Sequence, residues 1–408
     1  MSSPTQLYNQ LFKILSQYSF YKDLRHLKAL AWMIQALLLS GKINLSEWEP
    51  YIQCRATQAQ SVERRCQRFL NNRKIKVRTL YIPLMLAAIS NWQTTKRIYL
   101  AIDTTVLWNR FCMIHVSIVC GRRAIPFLWK VIEHKSATVT FAEYKPLLKI
   151  AQKLIEPRFS DVMLLADRGF ANHQLIQWLQ ESSWHYSLRL PCDVMIHGAR
   201  RHPIELKYLV PPVSEAVLFH HVGLWSDGKY LCNLVLANVR GVKESWGVRG
   251  RMLSSPSYGR SARMRCTDEE PSLNTLWQYG MRFRVEQLFL DSKSGVFQLE
   301  ESRIRTAKAL ARLYLIVALA LLFATVHGMT IQVQGLRRQV DPHWRRGLSY
   351  LKIGLRWLKG FLHKSRDLLS PLPLLSGDPE PCFASKKAEA DYYDEIWFSR
   401  IRSLDCRT

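Results

Sequence analysis

The chain has 408 residues, of which 48% are hydrophobic and 22% charged, a composition that excludes an intrinsically disordered protein. Its 58 lysine and arginine residues outnumber its 32 aspartate and glutamate residues, which gives a formal net charge of +26 at pH 7. An excess of this size indicates a polyanionic partner, with nucleic acid first and an anionic membrane surface second. The length suits two or three domains.

Three further features indicate a cytoplasmic protein. The nine cysteines are scattered and include no CxxC pair, so we expect reduced thiols and no structural zinc. The N-terminus lacks the basic start and apolar middle of a signal peptide. The longest uncharged apolar run, Leu313 to Val326, is short for a membrane span of roughly 20 residues, so we expect a buried core helix and no membrane partner.

Residues 1–92 are predicted to be helical. Leu24 to Leu39 has helical apolar spacing, a short helix is expected after Asn44, and another is expected from Thr57 to Asn71. The last of these places Arg64, Arg65 and Arg68 on or near one face. Two hypotheses fit this pattern equally: a helix-turn-helix-like reader of DNA, or a solvated basic face on a helical bundle.

From residue 97 the pattern changes to short apolar runs rich in β-branched residues. Arg97–Asp103, Met113–Cys120 and Ala124–Ile132 predict a three-stranded meander. A helix at 141–155, a strand at 161–166, a helix near 173–180 and a strand at 184–190 are expected to follow. The order β-β-β-α-β-α-β predicts an α/β fold with a ribonuclease-H-like mixed sheet flanked by helices.

The remainder of the chain is expected to interrupt and then complete this core. Residues 191–275 contain strand-like runs at 216–222 and 230–239, followed by a loop rich in Gly, Ser and Arg at 240–264. Helical periodicity resumes at about 275 and extends to 327. A basic amphipathic helix is predicted at 343–363, with Arg345, Arg346, Lys352, Arg356 and Lys359 available to a polyanion.

Two aspartates are placed for metal chemistry. Asp103 is expected at the C-terminal end of the first strand, and Asp167 lies just past the fourth. Those strands are neighbours in a ribonuclease-H-like sheet, so the two carboxylates would emerge side by side. Paired metal ions about 3.5–4 Å apart need carboxylates placed in this way, and Mg²⁺ prefers such hard oxygen ligands. Asp161, at the opposite end of its strand, and Asp193 fit this role less well.

The segment WQYGMRFRVEQLFLDSKSG carries Tyr279, Arg282, Glu286 and Lys293 at spacings of 3, 4 and 7. In a regular helix these four residues fall within roughly 60° of arc, and Asp291 points away from them. The stripe offers one carboxylate flanked by two cations and a phenol. An alternative is a surface helix with incidental ion pairs.

The spacing Tyr-x2-Arg-x3-Glu-x6-Lys resembles the signature of the insertion-sequence-four group of bacterial DDE transposases. AIDTT around Asp103 and LLADRGF around Asp167 are similar to that group's first and second aspartate motifs. The resemblance covers about residues 55–362, and the 119-residue gap between Asp167 and Glu286 fits a mostly β insertion in the core.

The resemblance implies that Asp103, Asp167 and Glu286 form a catalytic triad that holds two Mg²⁺ ions, with Mn²⁺ as a substitute. Tyr279, Arg282 and Lys293 would contact the DNA end. The implied reaction is hydrolysis at the element's end, followed by attack of the freed 3′-hydroxyl on target DNA, through hairpin ends in well-studied relatives. Arg168 is either a phosphate contact or a structural ion pair. The group's base-holding tryptophan has two candidates, Trp225 and Trp246, or else these side chains belong to the core.

The expected domains are a helical DNA-binding domain at 1–92, a first part of the catalytic core at 93–190, the insertion at 191–275, the rest of the core at 276–330, and a basic helical region with a tail at 331–408. The expected partners are double-stranded DNA, as terminal inverted repeats and target, and a second copy of the chain on DNA. The expected location is the bacterial cytoplasm, at the nucleoid. The alternatives are a ribonuclease-H-fold nuclease, an inactive DNA-binding descendant of a transposase, and a basic structural protein.

Overall fold

The computed structural model describes residues 3–19, 21, 23–238, 262–342, 348–364, 366–371, 373–377, 386 and 398–406. Its N-terminal part is helical, as expected. The helix predicted from Thr57 begins two residues later, and the segment after Asn44 is a 3₁₀ helix to which the Asn44 side chain gives no capping hydrogen bond. The elements are α1 (Ser3–Tyr18), α2 (Leu24–Ser40), a 3₁₀ helix (Leu45–Tyr51), α3 (Ala59–Asn71) and α4 (Val77–Ala88).

The order of strands and helices predicted for residues 97–190 is confirmed. Three antiparallel strands come first, and two strands parallel to the first strand follow through helical crossovers. Buried apolar side chains on both faces of the central strands explain their near-continuous apolar runs. The elements are β1 (Ile98–Leu107), β2 (Phe111–Cys120), β3 (Arg123–Glu133), α5 (Phe141–Ile155), β4 (Val162–Ala166), α6 (His173–Gln180) and β5 (His185–Arg189).

The predicted insertion adds its strands to the same sheet. It contributes β6 (Met195–His197), β7 (Ile204–Glu205), β8 (Glu215–Leu224), β9 (Tyr230–Asn238) and β10 (Ala262–Thr267). The order in the sheet is β3-β2-β1-β4-β5-β10-β9-β8-β6-β7, and an eleventh strand, described with the C-terminal elements below, pairs with β8. The predicted end of the loop at residue 264 is wrong. Residues 262–264 lie in β10, which is held by pairing with β5 and β9. Residues 239–261, including Trp246, lie outside the described residues.

The helical stretch predicted from about 275 to 327 is not one regular helix. It consists of α7 (Leu273–Gly280), a 3₁₀ turn (Met281–Phe283), α8 (Arg284–Leu290), a π-helical turn (Asp291–Gly295), a further 3₁₀ turn (Leu299–Ser302) and α9 (Ala307–Val333). These changes of helical type alter the rotation per residue, so positions beyond 280 do not follow the 100° spacing of an α-helix.

The core is centred on α9, against which α10 (Tyr350–His363) packs. The crossing is close enough that a Cβ at Gly354 would overlap the carbonyl of Ala324, so only glycine fits there. By length and composition α9 could cross a membrane, but 94% of its most apolar window is buried inside the protein, which confirms the predicted core helix.

The C-terminal elements differ partly from expectation. Lys352, Arg356 and Lys359 are exposed on α10, as predicted for its basic face. Arg345 and Arg346 fall in residues 343–347, which lie outside the described residues. The tail contributes a strand that the sequence does not predict, β11 (Arg400–Asp405), which pairs in parallel with β8.

Candidate active site

Asp103 and Asp167 lie next to each other at one level of the sheet. The parallel pairing of β1 with β4 ends at Ile102 and Ala166, so both aspartates stand one residue beyond the last paired position. The prediction that Asp103 ends its strand is wrong. Strand β1 continues to Leu107 because it stays paired with β2. The two carboxylates therefore lie at the carboxyl end of β4, where β1 extends beyond its pairing with that strand.

Glu286 is brought to Asp103 by an arginine. The guanidinium of Arg282 donates from Nη1 to Oδ2 of Asp103 at 2.6 Å and from Nη2 to Oε1 of Glu286 at 2.9 Å. Arg282 is almost fully buried, whereas half of the Glu286 side chain is exposed. Arg282 thus joins the α8 carboxylate to the β1 carboxylate.

Asp167 has its own set of polar neighbours. The hydroxyl of Tyr279 donates to its Oδ1 at 3.2 Å, and Nη1 of Arg189 lies 3.9 Å from the same oxygen. Arg265, directly opposite Arg189 in the β5–β10 pairing, places its guanidinium 3.7 Å from the centre of the Tyr279 ring. Asp167 is therefore surrounded by a phenol and positive charge.

The surroundings shift the pKa values of the two aspartates in opposite directions. Burial raises the pKa of Asp103 to about 6, and Asp167 and Glu286 add to the rise, although Arg282 and the amide of Thr104 oppose it. Burial also disfavours ionisation of Asp167, but Arg282, the amide of Arg168 and Arg189 outweigh it and lower its pKa. The site thus contains one firmly ionised carboxylate and one that titrates near pH 6.

The four residues of the predicted helical stripe have two environments. Tyr279 and Arg282 donate hydrogen bonds to the aspartates, and Glu286 joins them through Arg282, although the three residues lie on three successive helical segments. Lys293, in the π-helical turn, donates instead to the carbonyl of Val106 at 2.9 Å and lies 3.2 Å from Oε1 of Glu300. It therefore lies along the extension of β1, beyond Asp103.

The remaining predicted DNA contacts are spread over the surface. Arg168 is exposed in the turn after Asp167, and no ion pair joins it to another described residue. Arg64, Arg65 and Arg68 are exposed on α3, where the Arg65 guanidinium lies 5.6 Å from the centre of the Trp32 ring. Nothing in the structure places α3 beside the carboxylates.

The other candidate residues lie elsewhere. Asp161 pairs with Arg97 at the far end of β4, and Asp291 is buried 3.5 Å from Arg123. Asp193 is exposed in a turn. Trp225 lies in the β8–β9 hairpin and packs against Tyr230 and against His173 of α6. By strand register that hairpin lies about 17 Å along β9 from the level of Arg189.

The sequence motifs do not include two arginines that lie at the site. Arg189 and Arg265 lie on β5 and β10, which pair with each other although most of the insertion separates them in the sequence. Like charges directly opposite in a sheet are unfavourable, and Arg265 is fully buried with its pKa lowered to about 10 by burial. The one available clue is the position of Arg189 at the end of β5, level with Asp167.

The donor set suits a hard divalent cation, although the carboxylates are not arranged around one here. Among the described residues, no three His, Cys, Asp or Glu side chains converge closely enough to hold a metal ion. Carboxylate oxygens are the ligands that Mg²⁺ prefers, and a positive group already bridges Asp103 and Glu286. A metal ion at this position would require Arg282 to withdraw from Asp103.

A family comparison agrees with this site. The sequence model of the transposase DDE domain family matches residues 108–323, more than half of the chain. The chain therefore belongs to the DDE transposases. Asp167 and Glu286 lie inside the matched range, and Asp103 lies just before it. No curated protein matches the chain.

Two of the similar solved structures are of Argonaute from Marinitoga piezophila. One, bound to guide RNA and target DNA, is 11% identical over 58% of this chain and 31% of Argonaute, with a TM-score of 0.20. The other, bound to guide RNA, is 12% identical over 67% of this chain and 36% of Argonaute, also with a TM-score of 0.20. This chain thus covers about a third of the Argonaute length, and so weak a likeness carries no argument about function.

Proposed function

We propose that this chain is a cut-and-paste transposase of the insertion-sequence-four group, which cuts DNA at the ends of its own element and joins the freed 3′-hydroxyls to target DNA. The observation that carries the proposal is the polar network at the carboxyl end of β4, in which Arg282 joins Asp103 to Glu286 and Tyr279 binds Asp167. This network links three acids from distant parts of the sequence, in a chain of the DDE transposase family.

In this proposal the three acids hold two Mg²⁺ ions, for which Mn²⁺ can substitute. When bound, Mg²⁺ supplies Lewis-acid stabilisation of the negative charge on the reacting phosphodiester. Asp167, whose pKa is lowered, is ready to bind a cation even in mild acid, while Asp103, with a pKa of about 6, is ready only above pH 6. Tyr279 fixes the orientation of Asp167, and Arg282, released from Asp103, is available to a DNA phosphate.

The basic residues away from the acids would bind the DNA duplex. Lys293 and Arg168 flank the carboxylates and fit contacts to the element's end, and Arg64, Arg65 and Arg68 on α3 fit contacts to the terminal inverted repeat. Two copies of the chain would act together because two ends have to be joined. The site of action would be the DNA of the bacterial cytoplasm.

The test is to incubate the purified full chain with DNA that carries the repeats flanking its own gene, with Mg²⁺ or with EDTA. Cut ends, hairpin ends and strand-joined products are scored separately. Mg²⁺-dependent cutting at the repeat boundary together with strand-joined products is the expected result. Cutting without joining indicates a nuclease, and binding without cutting indicates an inactive DNA-binding descendant; either outcome contradicts the proposal.

A further inference from the structure

Two tight turns meet at Lys293. The first is the β1–β2 turn, in which Trp108 and Asn109 have φ values of 52° and 49°. The second is the 3₁₀ turn 299–302, which is flanked by Gln298 and Arg303 with φ values of 54° and 53°. Half of the eight non-glycine residues with positive φ in the described part of the chain lie in these two turns, so backbone strain is concentrated there.

Trp108 is the most unexpected of these residues. A tight turn whose two central residues both have positive φ favours Asn and Gly there, and a bulky aromatic residue is disfavoured in this conformation. More than a third of the Trp108 side chain is also exposed. Turn formation therefore does not account for tryptophan at this position, where the ring packs edge-on against Phe111.

Polar contacts link Lys293 to both turns. The indole N–H of Trp108 donates to the carbonyl of Glu300 at 2.8 Å, and the Glu300 carboxylate lies 3.2 Å from the Lys293 ammonium. Lys293 in turn donates to the carbonyl of Val106, two residues before Trp108. The ammonium is thereby held between the two turns, about 10 Å along β1 from Asp103.

We propose that Trp108 is a positioning residue: through Glu300 it holds Lys293 in place to bind a phosphate of the DNA strand that enters the carboxylate site. The part of this inference that concerns DNA rests on the proposed function. Lysine has a flexible four-carbon side chain, so an ammonium fixed at one place loses less entropy on binding a phosphate than a mobile one does. The strained turn places the indole N–H against the carbonyl of Glu300.

The first test needs no DNA. Lysines of the full chain are labelled by reductive methylation under limiting conditions, and the labelling rate of each lysine is measured by mass spectrometry. In Trp108→Phe, which lacks the indole N–H, we expect Lys293 to be labelled several-fold faster than in the wild type. Trp108→Asn, which suits the turn and so protects against a folding defect, should behave in the same way.

Lys229, 77% exposed, serves as the internal reference, and Trp277→Phe, at another exposed tryptophan, is the matched control. An unchanged Lys293 rate in both Trp108 variants overturns the proposal.

The second test measures binding to repeat-end DNA over a range of salt concentrations. Lys293→Met and Trp108→Phe should each lower the slope of log affinity against log salt by about 0.9, the effect of one phosphate contact. The double variant should lose no more than Lys293→Met alone. Additive losses would show that Trp108 acts independently of Lys293 and would overturn the proposal. If the wild type does not bind the repeats, the proposed function fails, whereas faster labelling of Lys293 still supports the positioning role.

Discussion

Arg282 and Asp103 form a short charged contact in the interior of the protein, with 2.6 Å between Nη1 and Oδ2 and only 4% of the arginine side chain exposed. Two charges in the interior lose their hydration, so the charged form of each group is stabilised mainly by the other. The same guanidinium also binds Glu286. Arg282 therefore supplies the positive charge that these carboxylates need when no metal ion is bound.

Replacement of Arg282 by glutamine should make the stability of the protein depend on Mg²⁺. In EDTA we expect a loss of about 3–5 kcal/mol, because Asp103 and Glu286 lose their cation. Millimolar Mg²⁺ should restore part of this loss, since the metal ion binds only the folded protein. Thermal melting in EDTA and in Mg²⁺ measures both effects.

Arg97→Gln is the matched control, because Arg97 also binds two carboxylates, Asp161 and Glu269, at the other end of β4. This variant should be destabilised equally with and without Mg²⁺. Equal losses for Arg282→Gln in the two buffers would contradict the assignment of Asp103 and Glu286 as metal ligands.

The affinity for Mg²⁺ should depend on pH through Asp103. Its pKa is about 6 because of burial, so it is ionised above pH 6 and protonated below. Metal ions bind the ionised carboxylate, hence the apparent affinity should be constant above about pH 7 and fall about tenfold per pH unit below 6. Asp167, with a lowered pKa, stays ionised over this range. Calorimetric titration at pH 7.5, 6.0 and 5.0 tests the expectation, and an affinity that does not change over this range would contradict it.

The stability of the whole fold should fall in mild acid because of His115. This residue lies directly opposite Asp103 on β2, fully buried, and burial lowers its pKa to about 3. Unfolded histidine has a pKa of about 6.5, so from pH 6.5 down to about 3 the proton binds only the unfolded chain. This favours unfolding by about 1.4 kcal/mol per pH unit.

His115→Leu removes this contribution. Between pH 7.5 and 5.0 the wild type should lose about 2 kcal/mol more stability than the variant. Denaturant unfolding at the two pH values is the measurement. His327, buried with its pKa lowered to about 4, is present in both proteins and so cancels in the comparison. Equal losses in the two proteins would show that His115 is not held neutral.

The exposed arginines of α3 should contribute to DNA affinity through phosphate contacts. For Arg64→Gln combined with Arg68→Gln we expect the slope of log affinity against log salt to fall by about 1.8, that is about 0.9 for each lost contact. The matched control is Lys149→Gln combined with Lys153→Gln, two exposed cations on α5 towards the end that precedes β4. Equal slopes for the α3 and α5 variants would favour the alternative that α3 carries only a solvated basic face.

The order of the core strands can be predicted from the sequence because each is a buried apolar run between polar turns. The end of β1 cannot be predicted in this way: the polar residues Asp103, Thr104 and Thr105 interrupt the apolar run, yet pairing with β2 keeps them in the strand. Strand β11 is equally hidden. Its residues, RIRSLD, have no continuous apolar face, and it is a strand because the edge of β8 is available to pair with it.

The site is partly predictable for a similar reason. Asp103, Asp167 and Glu286 can be identified by their motifs, which do not depend on how the chain folds between them. A spacing of 100° per residue does not reveal the 3₁₀ and π-helical turns that separate Lys293 from Arg282 and Tyr279. Arg189 and Arg265 reach the site only through strand pairing across the insertion, which no local pattern encodes.

The central claim is that the three acids carry out the chemistry on DNA. It is tested most directly by single-turnover cleavage of repeat-end DNA in Mg²⁺ with Asp103→Asn, Asp167→Asn and Glu286→Gln, beside Asp193→Asn, at an exposed turn outside the site. Each of the first three variants should cut the DNA at least about 10³-fold more slowly than the wild type and still bind it. Asp193→Asn should cut at the wild-type rate. Wild-type cutting by any of the three would contradict the role proposed for that residue.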